Sequence, residues 1–271
     1  VELSDYGVKA EMTAGLRSGM FRFTYPKSDK AFIMIDMNHT LWQNCEWSNL
    51  RMENDSTLTG YKLVKGWGPE RHVYFTAVFS KKLKNLRIMQ DKKPVIYNTS
   101  RFRSCYEAWG KNLMACISFA AEEGEEVIVK TSVSAVSTAG ATLNLQELNG
   151  MTFDALREKG VGLWEKELSK YQIEAKPEVK EAFYTAAYRA ALHPFVFQDA
   201  DGQFRGLDKN IEKAGGFTNY TVFSLWDTYR ALHPWFNLVH QDVNADIANS
   251  MLAHYDKSVE KMCADMVFLW Q

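Results

Sequence analysis

At 271 residues, with 46% hydrophobic and 13% aromatic side chains, the chain can bury a large core in one or two domains. That composition also sets it apart from disordered proteins. A formal net charge of −1 provides no electrostatic footprint for DNA or RNA, so nucleic acid is not an expected partner. No run of about 18 apolar residues occurs, so no membrane helix is expected.

From the N-terminus, Val1-Glu2-Leu3 lacks the basic and apolar regions of a signal peptide. The first half then reads as β-structure. Met20 to Tyr25 alternates and stops at Pro26, and Ala31 to Met37 is a short apolar run. Further runs lie at Thr59–Val64, His72–Phe79, Leu86–Met89, Leu113–Phe119 and Val127–Val133, bounded by Gly, Pro, Asn and Asp. Short strands at such spacing predict an antiparallel β-sandwich over 1–150.

Near residue 152 the period changes. Phe153, Leu156, Val161, Trp164, Leu168 and Tyr171 recur at three and four residues and predict a helical linker over 151–175. A second helix opens at Pro177, a favoured first-turn residue, and ends by His193 because Pro194 disfavours helix before it. The polar stretch from Gln198 to Gly216 is long for a connection and is a candidate functional loop. Helix is expected again over Thr221–Ala231, stopping at His233-Pro234, and then over Val243–Met262. The predicted class is multidomain β plus α, with 176–271 helical.

The four cysteines, Cys45, Cys105, Cys116 and Cys263, show no zinc spacing. Cys105 and Cys116 flank Gly110 and either face each other across a hairpin or are buried thiols. Sequons at Asn38, Asn54, Asn98 and Asn219 matter only under eukaryotic secretion. The histidines show no metal spacing, and His193 and His233, each before a proline, are expected at helix ends.

Chemistry concentrates in Asn219 to Pro234. Asp227 beside Trp226 suits a sugar: a carboxylate accepts two hydroxyl hydrogen bonds, while an indole offers a flat face to pyranose C–H groups. A helix in which Asp227 pairs with Arg230 accounts for the same residues without a ligand. Asp199-Ala200-Asp201-Gly202 resembles the start of a calcium loop but departs from the EF-hand at Gln203 and Asn210, and is read in preference as an Asp-Gly turn. Trp67, in the Gly66–Pro69 bend, and Trp109, after Glu107, suit either a sugar wall or edge packing.

Phe223 to Pro234, FSLWDTYRALHP, closely resembles the "FS-WDT-R--HP" signature of glycoside hydrolase family 92. Phe183 to Arg189, Asp199 to Gly206, Gly66-Trp67, Val73 to Phe75, Asn144 and Trp164 fit the same family in order and spacing. The resemblance covers nearly the whole chain. It implies an N-terminal β-sandwich joined by helices to an (α/α) six-hairpin toroid, and exo-acting removal of terminal α-mannose by an inverting mechanism that uses calcium. Trp226 and Asp227 would line the terminal-mannose pocket, with Arg230 orienting Asp227. The family's general acid lies in a YTEGNAWQY-like segment and its base in a GNDD-GQ-like segment, and neither occurs here. No catalytic acid, no base and no calcium ligand is therefore assigned; the calcium ligands are expected outside this chain.

The chain is accordingly expected to be an internal piece: the back of the sandwich and the first helices of the toroid, incomplete at both ends. Alone it would expose apolar faces and aggregate or associate. The expected partners are α-mannoside glycans, such as N-glycans or mannan, and the remainder of the parent polypeptide; by family habit the location is periplasmic or secreted. The competing readings are a non-catalytic carbohydrate-binding module that keeps the Trp226-Asp227 platform, and a sandwich whose sugar site has decayed.

Overall fold

The computed structural model of the chain describes residues 1–41, 43–66, 68, 70–95 and 107–258. Cys105, Cys263, Asn98, Trp67 and Pro69, singled out above, lie outside them. The chain forms two compact units, Val1–Arg157 and Glu158–Gln271.

The strands of the first unit are β1 (Glu2–Leu3), β2 (Val8–Ala14), β3 (Ser18–Tyr25), β4 (Ser28–Asp36), β5 (Asn44–Met52) and β6 (Thr57–Lys65). They continue with β7 (Arg71–Phe79), β8 (Leu86–Gln90), β9 (Lys93–Pro94), β10 (Glu107–Gly110), β11 (Leu113–Ala121) and β12 (Glu125–Ser134). One sheet runs β1-β2-β3-β12-β7-β6-β5-β10 and the other β4-β11-β8-β9, with antiparallel pairing throughout. Each predicted run falls within one of these strands apart from a residue at the end of the second.

The core lies between the sheets because side chains alternate across each strand. In β11, Leu113, Ala115, Ile117 and Phe119 point inward at every second position and meet Leu50, Leu58, Phe79 and Val127 of the larger sheet. Strands β2 and β5 were not singled out in the sequence. Asn44, Glu46, Ser48, Asn49 and Arg51 give β5 little intrinsic strand preference; eight pairings with β6 impose the extended form.

Helix α1 (Thr138–Leu145) follows β12, inside the stretch expected to be sandwich. Ser137 caps it by accepting from the Gly140 N–H at 3.0 Å. Asn144, 1% exposed, donates to the Val133 carbonyl, and Thr142 meets Thr76 of β7, so α1 is fastened to the larger sheet by polar contacts. Helix α2 (Phe153–Leu168) starts in this unit. Phe153 and Leu156 pack with Met20 and Leu148, and the Arg22 guanidinium lies 4.3 Å from the Phe153 ring centroid while bonding Glu11 and Asp154.

The second unit carries the rest of α2, then α3 (Pro177–Ala190), which opens at Pro177 as expected. Two small hairpin-like pairings follow: β13 (Phe195–Val196) with β16 (Tyr220–Thr221), and β14 (Gln203–Arg205) with β15 (Ile211–Lys213). The Gln198–Gly216 stretch is thus an ordered hairpin rather than an open loop. Helices α4 (Leu225–Thr228), α5 (Leu232–Val239) and α6 (Gln241–Asp256) complete the described chain. No helix among the described residues is long and apolar enough to cross a membrane.

The helix boundaries correct the sequence reading. The single helix expected over Thr221–Ala231 is one short turn, and His233-Pro234 lies in the first turn of α5 instead of stopping a helix. Proline lacks an N–H, but first-turn N–H groups have no acceptor within the helix, so the same residue starts a helix as readily as it ends one. Helix α6 runs to Asp256; Met262, where the last helix was expected to end, lies outside the described residues.

Candidate functional site

The segment richest in chemistry is held from behind by a small core. Phe223, Phe236 and Ile247 are buried together, with Tyr220, Leu225, Leu232, Trp235, Val243 and Met251 packed around them. This core anchors both ends of the turn between β16 and α5 and leaves its middle to solvent. Trp226 is 68% exposed, and Asp227 beside it is exposed as well. The turn thus exposes an indole and a carboxylate at consecutive positions.

Asp227 is not paired with Arg230, which corrects both sequence readings of that arginine. Asp227 Oδ2 accepts from the Ser224 hydroxyl at 2.6 Å. Arg230 turns to its neighbour: its Nε donates to the Tyr229 hydroxyl at 3.1 Å, and its guanidinium lies 5.3 Å from the Tyr229 ring centroid. The α4 stretch is too short and turns too abruptly into α5 for the three-residue spacing to act as it would on a longer helix. Beside the turn lies a cavity of about 360 Å³ lined by His193, Pro194, Val222, Phe223, Ser224, Thr228, Leu232 and His233. Trp226 and Asp227 stand outside its lining.

The acidic hairpin is a turn. The Asp199 backbone carbonyl accepts from the Gly202 N–H at 2.9 Å, and Gly202 sits at φ +84°, a conformation that favours glycine. Asp201 takes the Gln203 N–H and side-chain amide, and Asp208 does the same with Asn210. Their oxygens serve the hairpin's own backbone. Among the described residues no three His, Cys, Asp or Glu side chains gather as a metal site. These residues therefore do not fit the calcium that the family resemblance implies, and no step is derived through it.

The remaining candidates resolve into structural contacts. Trp109, 55% exposed, donates from its indole to Glu107 at 2.8 Å. Among the described residues Cys45 and Cys116 form no disulfide; Cys105, the alternative partner of Cys116, lies outside them. His233 sits at the start of α5, contrary to the helix-end expectation, and shares a 3.0 Å hydrogen bond with Asn244.

Two histidines carry more than their sequence context signals. His240, at the junction of α5 and α6, meets the Tyr171 hydroxyl at 2.9 Å, Lys170 at 3.3 Å and a Glu167 carboxylate oxygen at 3.0 Å. Burial lowers its pKa against the opposing pull of Glu167. These partners lie some seventy residues away in sequence, so no local motif could show them.

His254 of α6 is 1% exposed and packs edge-on against Phe204, and among the described residues neither ring nitrogen has a hydrogen-bond partner. Burial pushes its pKa down to about 4 from 6.5. The unfolded chain therefore binds more protons between those values, and stability present above pH 6.5 is lost as the pH falls towards 4. The expected contribution is about 3 kcal/mol, read as a fall in the urea midpoint. In His254→Phe the acid dependence should flatten; an unchanged difference between pH 7 and pH 4 would count against it.

Two domain profiles of one family match the chain: the Glycosyl hydrolase family 92 N-terminal domain over residues 1–134 and the Glycosyl hydrolase family 92 catalytic domain over residues 140–267. No curated protein matches. Two solved structures of a family 92 α-mannosidase from Bacteroides thetaiotaomicron, one in complex with mannoimidazole, align at 81% identity with a TM-score of 0.93. The alignment covers 96% of this chain but only 35% and 34% of those, so the chain spans about a third of their length. A family 92 inverting mannosidase from the same organism aligns at 21% identity with a TM-score of 0.81, over 93% of this chain and 33% of its own, a likeness of fold. With both domain profiles side by side along its length and the sheets and helices in matching order, the chain belongs to glycoside hydrolase family 92.

Proposed function

We propose that the protein carrying this chain is an exo-acting α-mannosidase that removes terminal α-linked mannose from N-glycans or mannan by an inverting, calcium-dependent route. The observation that carries this reading is the 81% identity to a family 92 α-mannosidase over 96% of the chain. The mannoimidazole bound to that relative supports a mannoside as the substrate class. In this reading 1–150 belongs to the sandwich, 151–175 is the helical linker and 176–271 contributes the first helices of an α/α toroid. Trp226 stacks on the terminal mannose and Asp227 accepts hydrogen bonds from its hydroxyls, which their joint exposure on one turn supports.

The general acid, the general base and the calcium ligands are supplied by sequence other than these 271 residues. Inversion needs two carboxyl groups roughly 6.5–9.5 Å apart with a water between them. The family's acid-bearing and base-bearing segments have no counterpart here. The protein acts in the periplasm or outside the cell.

Mannose release from α-mannobiose tests the reading. The whole protein should release mannose with calcium and lose activity on chelation, while the 271-residue chain alone should release none. Turnover by the chain alone would place acid and base within it. No turnover by the whole protein, with sugar still bound, would favour a carbohydrate-binding module.

A further inference from the structure

Ser224 and Asp227 have the spacing of a capping box, with Ser224 before the first residue of α4 and Asp227 three residues on. In the usual box each side chain bonds the other's backbone N–H. Here the Ser224 side chain makes no capping bond to the backbone. Its hydroxyl instead donates to Asp227 Oδ2 at 2.6 Å, the short distance of a charge-assisted O–H···O⁻ bond.

Ser224 is itself a firm anchor. Its carbonyl accepts from the Asp227 N–H, the Thr228 N–H and the Thr228 hydroxyl, at 3.0, 3.0 and 3.1 Å. The preceding Phe223 is 2% exposed in the small core. Asp227, by contrast, is exposed, and among the described residues its Oδ1 takes no hydrogen bond. An exposed carboxylate without the serine contact would move among its staggered rotamers.

Resting on the reading of Asp227 as a sugar ligand, we propose that Ser224 is a positioning residue. Its hydroxyl immobilises one oxygen of the Asp227 carboxylate and leaves the other free to accept a hydroxyl of the terminal mannose. Nothing in the serine's own surroundings requires the contact for folding, since the backbone bonds of Ser224 close the turn without its side chain. What the hydroxyl supplies is a bound geometry formed before the sugar arrives, which lowers the ordering cost of binding.

The test uses the whole protein and steady-state hydrolysis of α-mannobiose by S224A, S224T, D227N and the double variant S224A/D227N, with thermal melting as a control. S224A should raise KM on the order of 10-fold, the scale of one charge-assisted hydrogen bond, with kcat nearly unchanged. S224T, which keeps the hydroxyl, should restore KM to near its original value. S224A on the D227N background should add nothing, because the two residues act as one unit. The proposal is overturned by a wild-type KM in S224A, by losses in S224A and D227N that multiply, or by an S224T as impaired as S224A with unchanged melting. A D227N enzyme with wild-type kinetics would instead remove the sugar-ligand role itself, and the positioning role with it.

Discussion

Asp227→Asn is expected to lower kcat/KM for α-mannobiose on the order of 100-fold in the whole protein, with the melting temperature unchanged. The amide is nearly isosteric but uncharged, and one of its two acceptors becomes a donor. Hydrogen bonds to a charged group contribute about 1.5–3 kcal/mol each, so weakening two of them costs about 3 kcal/mol, or roughly two decades in rate. Stability should not follow, because Asp227 is exposed, forms no ion pair with Arg230 and lies outside the small core behind the turn. Parallel kinetics and melting curves settle the matter. A comparable fall in melting temperature would show that Asp227 serves the fold, and unchanged kinetics would show that it does not touch the sugar.

Leu113→Ala should strongly destabilise the first unit. Leu113 is fully buried at the start of β11, where it packs into the core shared by both sheets and its carbonyl accepts from the Met37 N–H. Removing three carbon atoms from such a position loses their transfer free energy and leaves a cavity that β-pairing on both sides of β11 keeps from collapsing. The expected loss is about 3 kcal/mol, or a drop in melting temperature of roughly 6–12 °C for a unit of this size. Calorimetry of the variant measures it. A loss below about 1 kcal/mol would mean that the two sheets close over the gap.

The register of hydrophobic residues explains which of these features were legible in advance. Period-two runs such as Leu113–Phe119 and Val127–Val133 read as strands because alternation itself commits one face to a core. The 3.6-residue recurrence from Phe153 to Leu168 and the proline at 177 read as helices for equally local reasons. The FSLWDTYRALHP segment was legible by resemblance, and the structure leaves both Trp226 and Asp227 of that segment exposed.

Everything that depended on long-range partners was not legible. β5 is a strand because β6 and β10 flank it, not because of its own polar residues. Pro234 was read as a stop, since a sequence cannot distinguish the last turn of one helix from the first turn of the next. The Asp227–Arg230 pair, open as one reading of the residues and implied by the resemblance, does not form: the turn directs Arg230 to Tyr229 and gives Asp227 to Ser224. His240 and His254 looked like isolated histidines until folding brought Tyr171, Glu167 and Phe204 against them.

The sequence by itself thus determined that β-structure precedes helix, with the change near residue 152, and marked the segment that bears Trp226 and Asp227. Those properties are written in nearest-neighbour periodicity and in a contiguous motif. Only the tertiary structure decided which side chain bonds Asp227, which carboxylates are spent on turns and which histidine is buried without a partner among the described residues. The burial of His254 against Phe204 is made by groups far apart in the chain and exists only once folding has excluded water. The contacts of Asp201, Asp208 and Asp227 are made two or three residues away, but only in the backbone geometry of their turns.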